Sequence, residues 1–513
     1  MEQVCRHFMA VLGTSLYTDC IYEVEGTDFG CQTPYAQVAV LKYLEEQGRR
    51  ADKISILLTD RAREQNWCTR EYTEDEKNRL ADKGLRVRPG EKKTGLAELL
   101  NAACPHIPVT SIRIPEGSSQ GELDEIFERI YEAIMPGETI CFDFTHGLRN
   151  IPMQVLTIIH YAKALKHIEV GGMYYGAYEL GKKKDGISHV RLLDMTMCSG
   201  ILNWTSAAES FLESGNSAQI WSLYGTGREK KGPGRKTMED AVIKSLHDLT
   251  NCISTCRGKT EDSPEKSIRK AYEEFRRHYE LMKEHQEEMS AAPLARLFDQ
   301  IWEDLKLFQQ KLYLVKGDRR TPLNSTSTGA AVVRWAIRKE QTQLGFTALE
   351  EMIVTYLGER WGLPAEEQDV RETIIGQPLG YMIHIYGERK SKKEKLPKEE
   401  LEQICRQAGA EKTAEREEIL LEMKSRAELE KVRNIAEAFL EYNEQMKDMV
   451  KEIPMELIQL ASRIVQYRNT LNHFGFQKNV MYYKTLQENL RKLYEQMIGI
   501  MESEGVVMEQ ITE

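Results

Sequence analysis

The chain has 513 residues, of which 41% are hydrophobic and 29% charged, and its formal net charge is −10. This apolar content excludes wholesale disorder, and the length suits two to four domains of roughly 150 residues each. An acidic chain is not expected to coat nucleic acid over its whole surface, although a local basic site is compatible with this balance.

The sequence gives no support for a membrane protein, a metal-binding protein or a disulfide-rich protein. No run approaches the roughly 18 apolar residues that cross a bilayer, and the N-terminal segment lacks the long apolar core of a signal peptide. Of ten scattered cysteines, Cys252 and Cys256 form a CxxxC pair without a matching second pair. We therefore expect a cytoplasmic protein with no membrane partner, no disulfide framework and no metal site.

Strand-like and helix-like segments alternate over the first 200 residues. Strand patterns cover 7–13, 53–60, 109–114, 138–147, 170–179 and 189–196. Helical patterns cover 33–48, 95–104, 122–134 and 152–167. This alternation predicts an α/β domain with a mostly parallel sheet that is covered by helices on both faces.

Long helical periodicities dominate after about residue 200, and convincing strand patterns are absent there. Three breaks, at 225–236, 316–329 and 387–400, are rich in glycine, proline or charge and are typical of loops. The last contains the basic run RKSKKEK, which is either a solvated loop or a loop that faces RNA. The second region is therefore predicted to be all-α.

Polar turns follow three of the predicted strands, at 13–17, 59–61 and 143–150. Ligands of open α/β sheets bind beyond the carboxyl ends of the strands. The third turn offers a hydroxyl, an imidazole, a guanidinium and a helix N-terminus, a combination that favours an anion. Because GxGxxG and a Walker lysine are both missing, an ordinary dinucleotide or ATP site is not indicated. The turns either merely cap the strands or converge on a phosphate-bearing ligand.

The turn segments resemble a known family. The segments that carry the resemblance are GTSLY (13–17), LLTDRAREQNW (57–67), DFTHGLRNIPM (143–153) and YYGAYE (174–179). They resemble the CRISPR-associated Rossmann-fold (CARF) domain, a Rossmann-like α/β fold, and in particular the group of CARF domains with a THG-F/L-R turn. The resemblance implies binding of a cyclic oligoadenylate, of four or six adenylates, in the cleft of a CARF dimer. The residues carried over are Thr14, Ser15, Thr145, His146, Gly147, Arg149 and Asn150, with Gln32 and Thr33 as further candidates at the start of the first helix.

A second resemblance lies near the C-terminus, in ASRIVQYRNTLNHFGF (461–476). Arg468 and His473 form R-x4-H, with Asn469 and Asn472 between them, and this pattern resembles the active-site motif of HEPN ribonucleases. HEPN domains commonly follow CARF domains in effectors of type III CRISPR defence. The resemblance implies that Arg468, His473 and Asn469 are catalytic. The alternative interpretation is a surface salt bridge at Arg468 and a helix cap at His473.

The chemistry of this pair suits single-stranded RNA. RNA carries its own nucleophile, the 2′-hydroxyl, so that a histidine can move the proton and an arginine can stabilise the charged phosphate without a metal cofactor. DNA lacks this hydroxyl and is not an expected partner. Residues five apart on a helix point about 140° apart. A site composed from two protomers, and hence a homodimer, is therefore expected.

The two resemblances together predict a ligand-activated endoribonuclease in three parts. Residues 1–200 would sense the cyclic oligoadenylate, 201–322 would connect, and 323–513 would form the HEPN ribonuclease domain, with an insertion around 365–430. Two alternatives remain: a sensor without enzymatic activity, and a ring nuclease that degrades its own ligand. The latter can coexist with the ribonuclease.

Overall fold

The computed structural model describes residues 5–82, 84–147, 150–184, 186–231, 238–285, 292–392, 430, 433, 444–472 and 480–509. The chain divides into two compact units, Met1–Asn203 and Trp204–Glu513. The division falls inside one helix, Thr196–Ser214. Each unit is described separately below.

An eight-stranded mixed sheet forms the centre of the first unit. Its strands are β1 (Arg6–Leu12), β2 (Cys20–Glu23), β3 (Gly30–Thr33), β4 (Lys53–Leu58), β7 (Val109–Arg113), β8 (Thr139–Asp143), β9 (Glu169–Lys184) and β10 (Ile187–Asp194). The spatial order is β3-β2-β10-β9-β8-β1-β4-β7. A separate two-stranded ribbon consists of β5 (Arg70–Glu71) and β6 (Lys92–Lys93).

Helices surround this sheet, as the alternating pattern predicts. They are α1 (Ala36–Glu46), α2 (Asp60–Ala62), α3 (Glu74–Asp82), α4 (Leu96–Ala103), α5 (Gln120–Ala133) and α6 (Asn150–Lys166), with a π-helical turn at Arg63–Trp67. Successive residues of β1 supply opposite faces of the sheet: Phe8 belongs to one apolar cluster and Met9 to another. The predicted α/β sheet with buried parallel strands is confirmed.

The route of the chain creates a crevice between β1 and β8. β1 pairs in parallel with β4 on one side and with β8 on the other. The chain first builds β4 and β7 outward from β1 and then returns to place β8 and β9 on the opposite side. Helices that follow these strands diverge at such a switch point, which is where ligands of open α/β sheets bind.

One prediction about the first unit is wrong. Gln32 and Thr33 were expected at the start of the first helix, but both lie in strand β3, and α1 begins only at Ala36. The hairpin β2–β3 was missed because its strands have four residues each. Sheet pairing holds them in place: β2 pairs in parallel with β10, with Cys20 opposite Ser188.

The second unit is mostly helical. Its helices are α7 (Thr196–Ser214), shared with the first unit, α8 (Ala218–Lys231), α9 (Met238–Ser254), α10 (Ile268–Glu284), α11 (Ala292–Leu305), α12 (Asn324–Arg338), α13 (Thr342–Arg360), α14 (Gln377–Lys392), α15 (Glu444–Glu452), α16 (Met455–Asn472) and α17 (Tyr483–Ser503). Short 3₁₀ and π-helical turns cover Lys306–Gln309 and Val370–Gly376. In α10, Ile268, Tyr272, Phe275 and Tyr279 are buried at spacings of three and four, which explains its helical pattern.

The expectation that strands are absent after residue 200 is wrong. A three-stranded antiparallel sheet joins β11 (Lys311–Lys316), β12 (Arg319–Pro322) and β13 (Val506–Glu509). The glycine-containing segment near residue 317 is the tight turn of a hairpin, with Gly317 at a φ of 58°. β13 becomes a strand only by pairing with β11, where Leu314 lies opposite Val506. A partner this far away in sequence leaves no local signal.

The described residues contain neither a membrane-spanning helix nor a candidate metal cluster. No helix there is long and apolar enough to cross a membrane. No group of three or more histidine, cysteine, aspartate or glutamate side chains among those residues could hold a metal ion. Residues 393–429, which include much of the predicted insertion and the end of the basic run, lie outside the described residues.

Candidate ligand-binding and catalytic sites

The loops that follow β1 and β8 touch each other at the switch point. A methyl group added at Gly13 would lie 3.1 Å from the amide nitrogen of Gly147. Gly147 has a φ of 123°, and a methyl group there would lie 2.5 Å from Cγ1 of Val11. Both positions therefore require glycine, one for close approach and the other also for its left-handed backbone.

A cavity of about 540 Å³ opens beside this contact. All three predicted turns contribute to its wall, through residues 13–17, Thr59, Arg61 and 145–147. Five of the predicted ligand residues line it: Thr14, Ser15, Thr145, His146 and Gly147. The structure thus brings the three turns together around one space, as the sheet-edge argument expects.

The other predicted ligand residues are placed differently. Asn150, the first residue of α6, donates from Nδ2 to the carbonyl oxygens of Glu116 and Gly117, at 3.3 and 3.4 Å. These hydrogen bonds fix the loop after β7 to the start of α6. Glu116 of that loop lines the cavity. In β3, Gln32 is exposed and Thr33 is buried, and neither is among the lining residues. Arg149 lies outside the described residues.

Thr145 links the end of β8 to β9. Its Oγ1 donates to Oδ1 of Asp143 and accepts from the amide of Gly176 at 2.7 Å. Asp143 is fully buried and accepts a second bond, from the amide of Thr145 at 3.0 Å. Burial raises the pKa of the Asp143 carboxyl to about 7. The Thr145 hydroxyl is thus engaged in fixing the turn.

His146 packs against Tyr17, with ring centroids 4.2 Å apart. Burial lowers the pKa of His146 to about 3, so that the imidazole is neutral at physiological pH. Its Nε2 is buried and finds no hydrogen-bond partner among the described residues. The neutral ring therefore has one nitrogen that is available to a ligand or a bound water.

Two buried amides, neither of them predicted from the sequence, hold the end of β1 and the loop that follows it. Asn66, with no exposed surface, donates from Nδ2 to the carbonyl oxygens of Gly13 at 2.8 Å and Ser15 at 3.0 Å. Gln37, also fully buried, donates to the carbonyl of Val11 at 2.8 Å. Asn66 stands inside the LLTDRAREQNW block, but its role depends on a partner more than 50 residues away.

The cavity offers groups for both parts of a nucleotide. Arg61 and Arg79 supply positive charge, and the hydroxyls of Thr14 and Ser15 can donate to phosphate oxygens. Tyr178 is 45% exposed and also lines the cavity, so its ring is accessible for stacking on a base.

Two other tyrosines, Tyr17 and Tyr175, are engaged within the fold. Tyr17 lines the cavity and contacts the rings of His146 and Tyr35. Tyr175 donates its hydroxyl to Glu179 at 3.0 Å. Tyr178, the fifth residue of the YYGAYE block, is the more accessible ring.

Asp143 should make the first unit less stable as the pH rises. The folded pKa of about 7 exceeds the ordinary 3.8, so its contribution is fully present below about pH 4 and is lost as the pH rises through 7. Asp143→Asn removes this titration. We expect the unfolding free energy of the variant, relative to the parent, to rise by up to about 4 kcal/mol across that window.

Urea unfolding of both proteins between pH 4 and pH 8 measures this difference. The depressed pKa values of His7 and His146 act in the opposite direction, but they are common to both proteins and cancel in the difference. A stability difference that is constant with pH would contradict the elevated pKa of Asp143.

Arg468 lies on α16 and contacts α13. Its Nη1 donates to Oε2 of Glu350 at 2.7 Å, and both side chains are about one-quarter to one-third exposed, at 34% and 23%. One turn away, the rings of Phe346 and Tyr467 pack with centroids 5.4 Å apart. The salt bridge of the alternative interpretation is therefore present, although it is partly buried.

Asn469 and Asn472, the two asparagines of the predicted catalytic motif, lie at the end of the same helix. Asn469 and Asn472 are exposed, and α16 ends at Asn472. His473 lies outside the described residues. The catalytic roles of Arg468, Asn469 and His473 therefore stay predictions.

The chain shows limited similarity to known proteins. Over 99 residues the chain is 24% identical to a CRISPR-associated protein of Methanocaldococcus jannaschii, a match that covers 19% of this chain and only 15% of that protein. A solved structure of Enterococcus italicus Csm6 bound to cyclic hexa-2′-fluoro-hexa-dAMP aligns over 96% of this chain and 100% of that chain, with a TM-score of 0.36 and 9% identity. No protein-family model matches the chain. The chain is thus similar to a CRISPR-associated protein over about one-fifth of its length.

Proposed function

We propose that the protein is an endoribonuclease of type III CRISPR antiviral defence that a cyclic oligoadenylate activates and that needs no metal. Residues 1–200 would bind the ring, 201–322 would connect, and 323–513 would cut single-stranded RNA. The observation that carries the proposal is the cavity at the switch point, where Thr14, Ser15, Thr145, His146 and Gly147, all singled out by the resemblance, lie together.

The chemistry of the cavity supports a ring of adenylates as ligand. Hydroxyls, two arginines and backbone amides can hold phosphates, and Tyr178 can stack on a base. A cavity of about 540 Å³ is of the size that holds a small ligand. A ring of four or six nucleotides would exceed one such cavity, and two protomers of a homodimer would share it.

In the proposed reaction the 2′-hydroxyl of RNA attacks the adjacent phosphorus and gives its proton to a neutral His473. The protonated His473 of the second protomer donates a proton to the departing 5′-oxygen, and Arg468 stabilises the charge on the pentacovalent phosphate. The bond to the 5′-oxygen breaks, which leaves a 2′,3′-cyclic phosphate and a 5′-hydroxyl. The partly exposed position of Arg468 leaves its guanidinium accessible to a phosphate.

Activation requires that the ring binds the active state more tightly than the resting state. A fluorescent single-stranded RNA is incubated with the protein and EDTA, with cyclic tetra-adenylate in one tube and cyclic hexa-adenylate in another. We expect cleavage only in the tube whose ring activates the protein. Gel electrophoresis of the products measures cleavage. A DNA of the same sequence is the control and should stay intact, because it lacks the nucleophile.

The outcomes separate the proposal from its alternatives. A protein that binds one ring but cleaves no RNA would be a sensor. Linear adenylates that accumulate from the bound ring would identify a ring nuclease. Cleavage that requires a divalent metal, or cleavage of DNA, would contradict the proposed mechanism.

A further inference from the structure

The ion pair between Glu350 and Arg468 has a geometry that suits orientation of the guanidinium. An arginine has five N–H donors in a fixed plane, and Glu350 engages Nη1 at 2.7 Å. Arg468 Nε is buried and finds no hydrogen-bond partner among the described residues. A carboxylate that binds one Nη atom of the planar guanidinium fixes the directions in which the other N–H groups of the arginine point.

The pair belongs to a packed interface between two helices. Phe346 and Glu350 are one turn apart on α13, and they meet Tyr467 and Arg468, which are adjacent on α16. The leading influence on the Glu350 carboxyl is burial, which raises its pKa, while the neighbouring Arg468 lowers it. A carboxylate kept at this site despite its desolvation needs the guanidinium as its partner.

We propose that Glu350 is a positioning residue for Arg468, an inference that rests on the proposed ribonuclease function. Glu350 holds one edge of the guanidinium, so that the other donors meet the scissile phosphate without a loss of side-chain freedom during the reaction. The opposite role, a latch that neutralises Arg468 until the ring binds, would need a mobile contact. The packed rings of Phe346 and Tyr467 favour a fixed one.

Two substitutions separate geometry from charge. Glu350→Gln keeps an oxygen at the same position and removes the charge, whereas Glu350→Asp keeps the charge and withdraws the carboxylate by one methylene. If Glu350 positions Arg468, Glu350→Asp should lower the kcat of ring-activated RNA cleavage by about 10²-fold, the cost of a misplacement of about 1 Å. Glu350→Gln should keep kcat within about tenfold of the parent, because it retains the acceptor. KM should change little in either variant.

The neighbouring residue offers a matched control. Glu351 lies on the same helix and pairs with Nη2 of Arg371 at 2.6 Å, away from Arg468. Glu351→Gln and Glu351→Asp should therefore cleave RNA like the parent. Circular dichroism and ring binding on all four variants establish that each is folded.

Four results would overturn the inference. Equal kinetics of Glu350→Asp and the parent would exclude a positioning role, and so would a Glu350→Gln variant that is as impaired as Glu350→Asp. Increased cleavage by both variants would identify a latch. A parent protein that binds the ring and cleaves no RNA would remove the proposed function and this role together, and that result is distinct from a defect confined to the variants.

Discussion

Arg468→Ala and His473→Ala are each expected to lower ring-activated RNA cleavage by about 10²- to 10⁴-fold. In the proposed mechanism, removal of Arg468 takes away the cation that stabilises the charge developing on the phosphate, and removal of His473 takes away the acceptor of the 2′-hydroxyl proton. Ring binding should stay at the parent affinity, because the predicted ring-binding residues all lie in the first 203 residues. Cleavage rates at saturating ring and calorimetric titration of the ring measure the two properties separately.

Arg463→Ala is a suitable control for this pair. Arg463 lies on the same helix, five residues before Arg468, and donates to Gln496 at 3.2 Å. Its loss changes the net charge by the same amount as Arg468→Ala and should leave the cleavage rate near that of the parent. Full activity in Arg468→Ala or His473→Ala would remove that residue from the catalytic site.

Asn66→Ala should destabilise the first unit by about 2–4 kcal/mol and raise the ring concentration needed for activation by about tenfold. The substitution leaves the carbonyl oxygens of Gly13 and Ser15 without their buried donor. The loop that carries Thr14 and Ser15 then loses its anchor to the π-helical turn. Urea unfolding measures the stability, and a titration of cleavage against ring concentration measures the second effect.

Asn66→Asp separates the hydrogen bonds from the volume of the side chain. It has nearly the same size, but it places an oxygen opposite two carbonyl oxygens, and it should be at least as destabilising as alanine. Asn101→Ala, at an exposed position of α4, is the matched control and should change stability little. A parent-like Asn66→Asp protein would show that the two hydrogen bonds contribute little.

Local sequence predicts those parts of the fold that depend on local patterns. Apolar runs such as 53–58 are buried parallel strands, and the polar turns that follow them meet at one edge because parallel strands end there. The short strands β2, β3 and β13 were missed because each is held by a partner rather than by its own pattern. This is why Gln32 was misplaced at a helix start.

The same distinction applies to the candidate sites. Thr14 and Thr145 stand in recognisable turns, so their place at the cavity could be predicted. Asn66 supports that cavity from 53 residues away in sequence, and Glu350 contacts Arg468 across 118 residues. Asn66 stands in the LLTDRAREQNW block and Glu350 in a helical pattern, but neither segment shows which distant residue the side chain contacts. Supporting residues of this kind become visible only through tertiary contacts.

The contact between Gly13 and Gly147 limits how this cavity can diversify. A side chain at Gly13 would meet the hydroxyl of Tyr17 and the backbone of Gly147, and one at Gly147 would meet Val11. A side chain at Gly13 therefore requires both Tyr17 and the backbone of Gly147 to move, and Gly147 is held as glycine by its φ of 123° as well as by Val11. The residues at this contact are therefore expected to change little, whereas exposed residues that line the cavity, such as Arg61 and Tyr178, can be substituted one at a time. Related proteins that prefer other ligands should therefore differ first at these exposed lining residues.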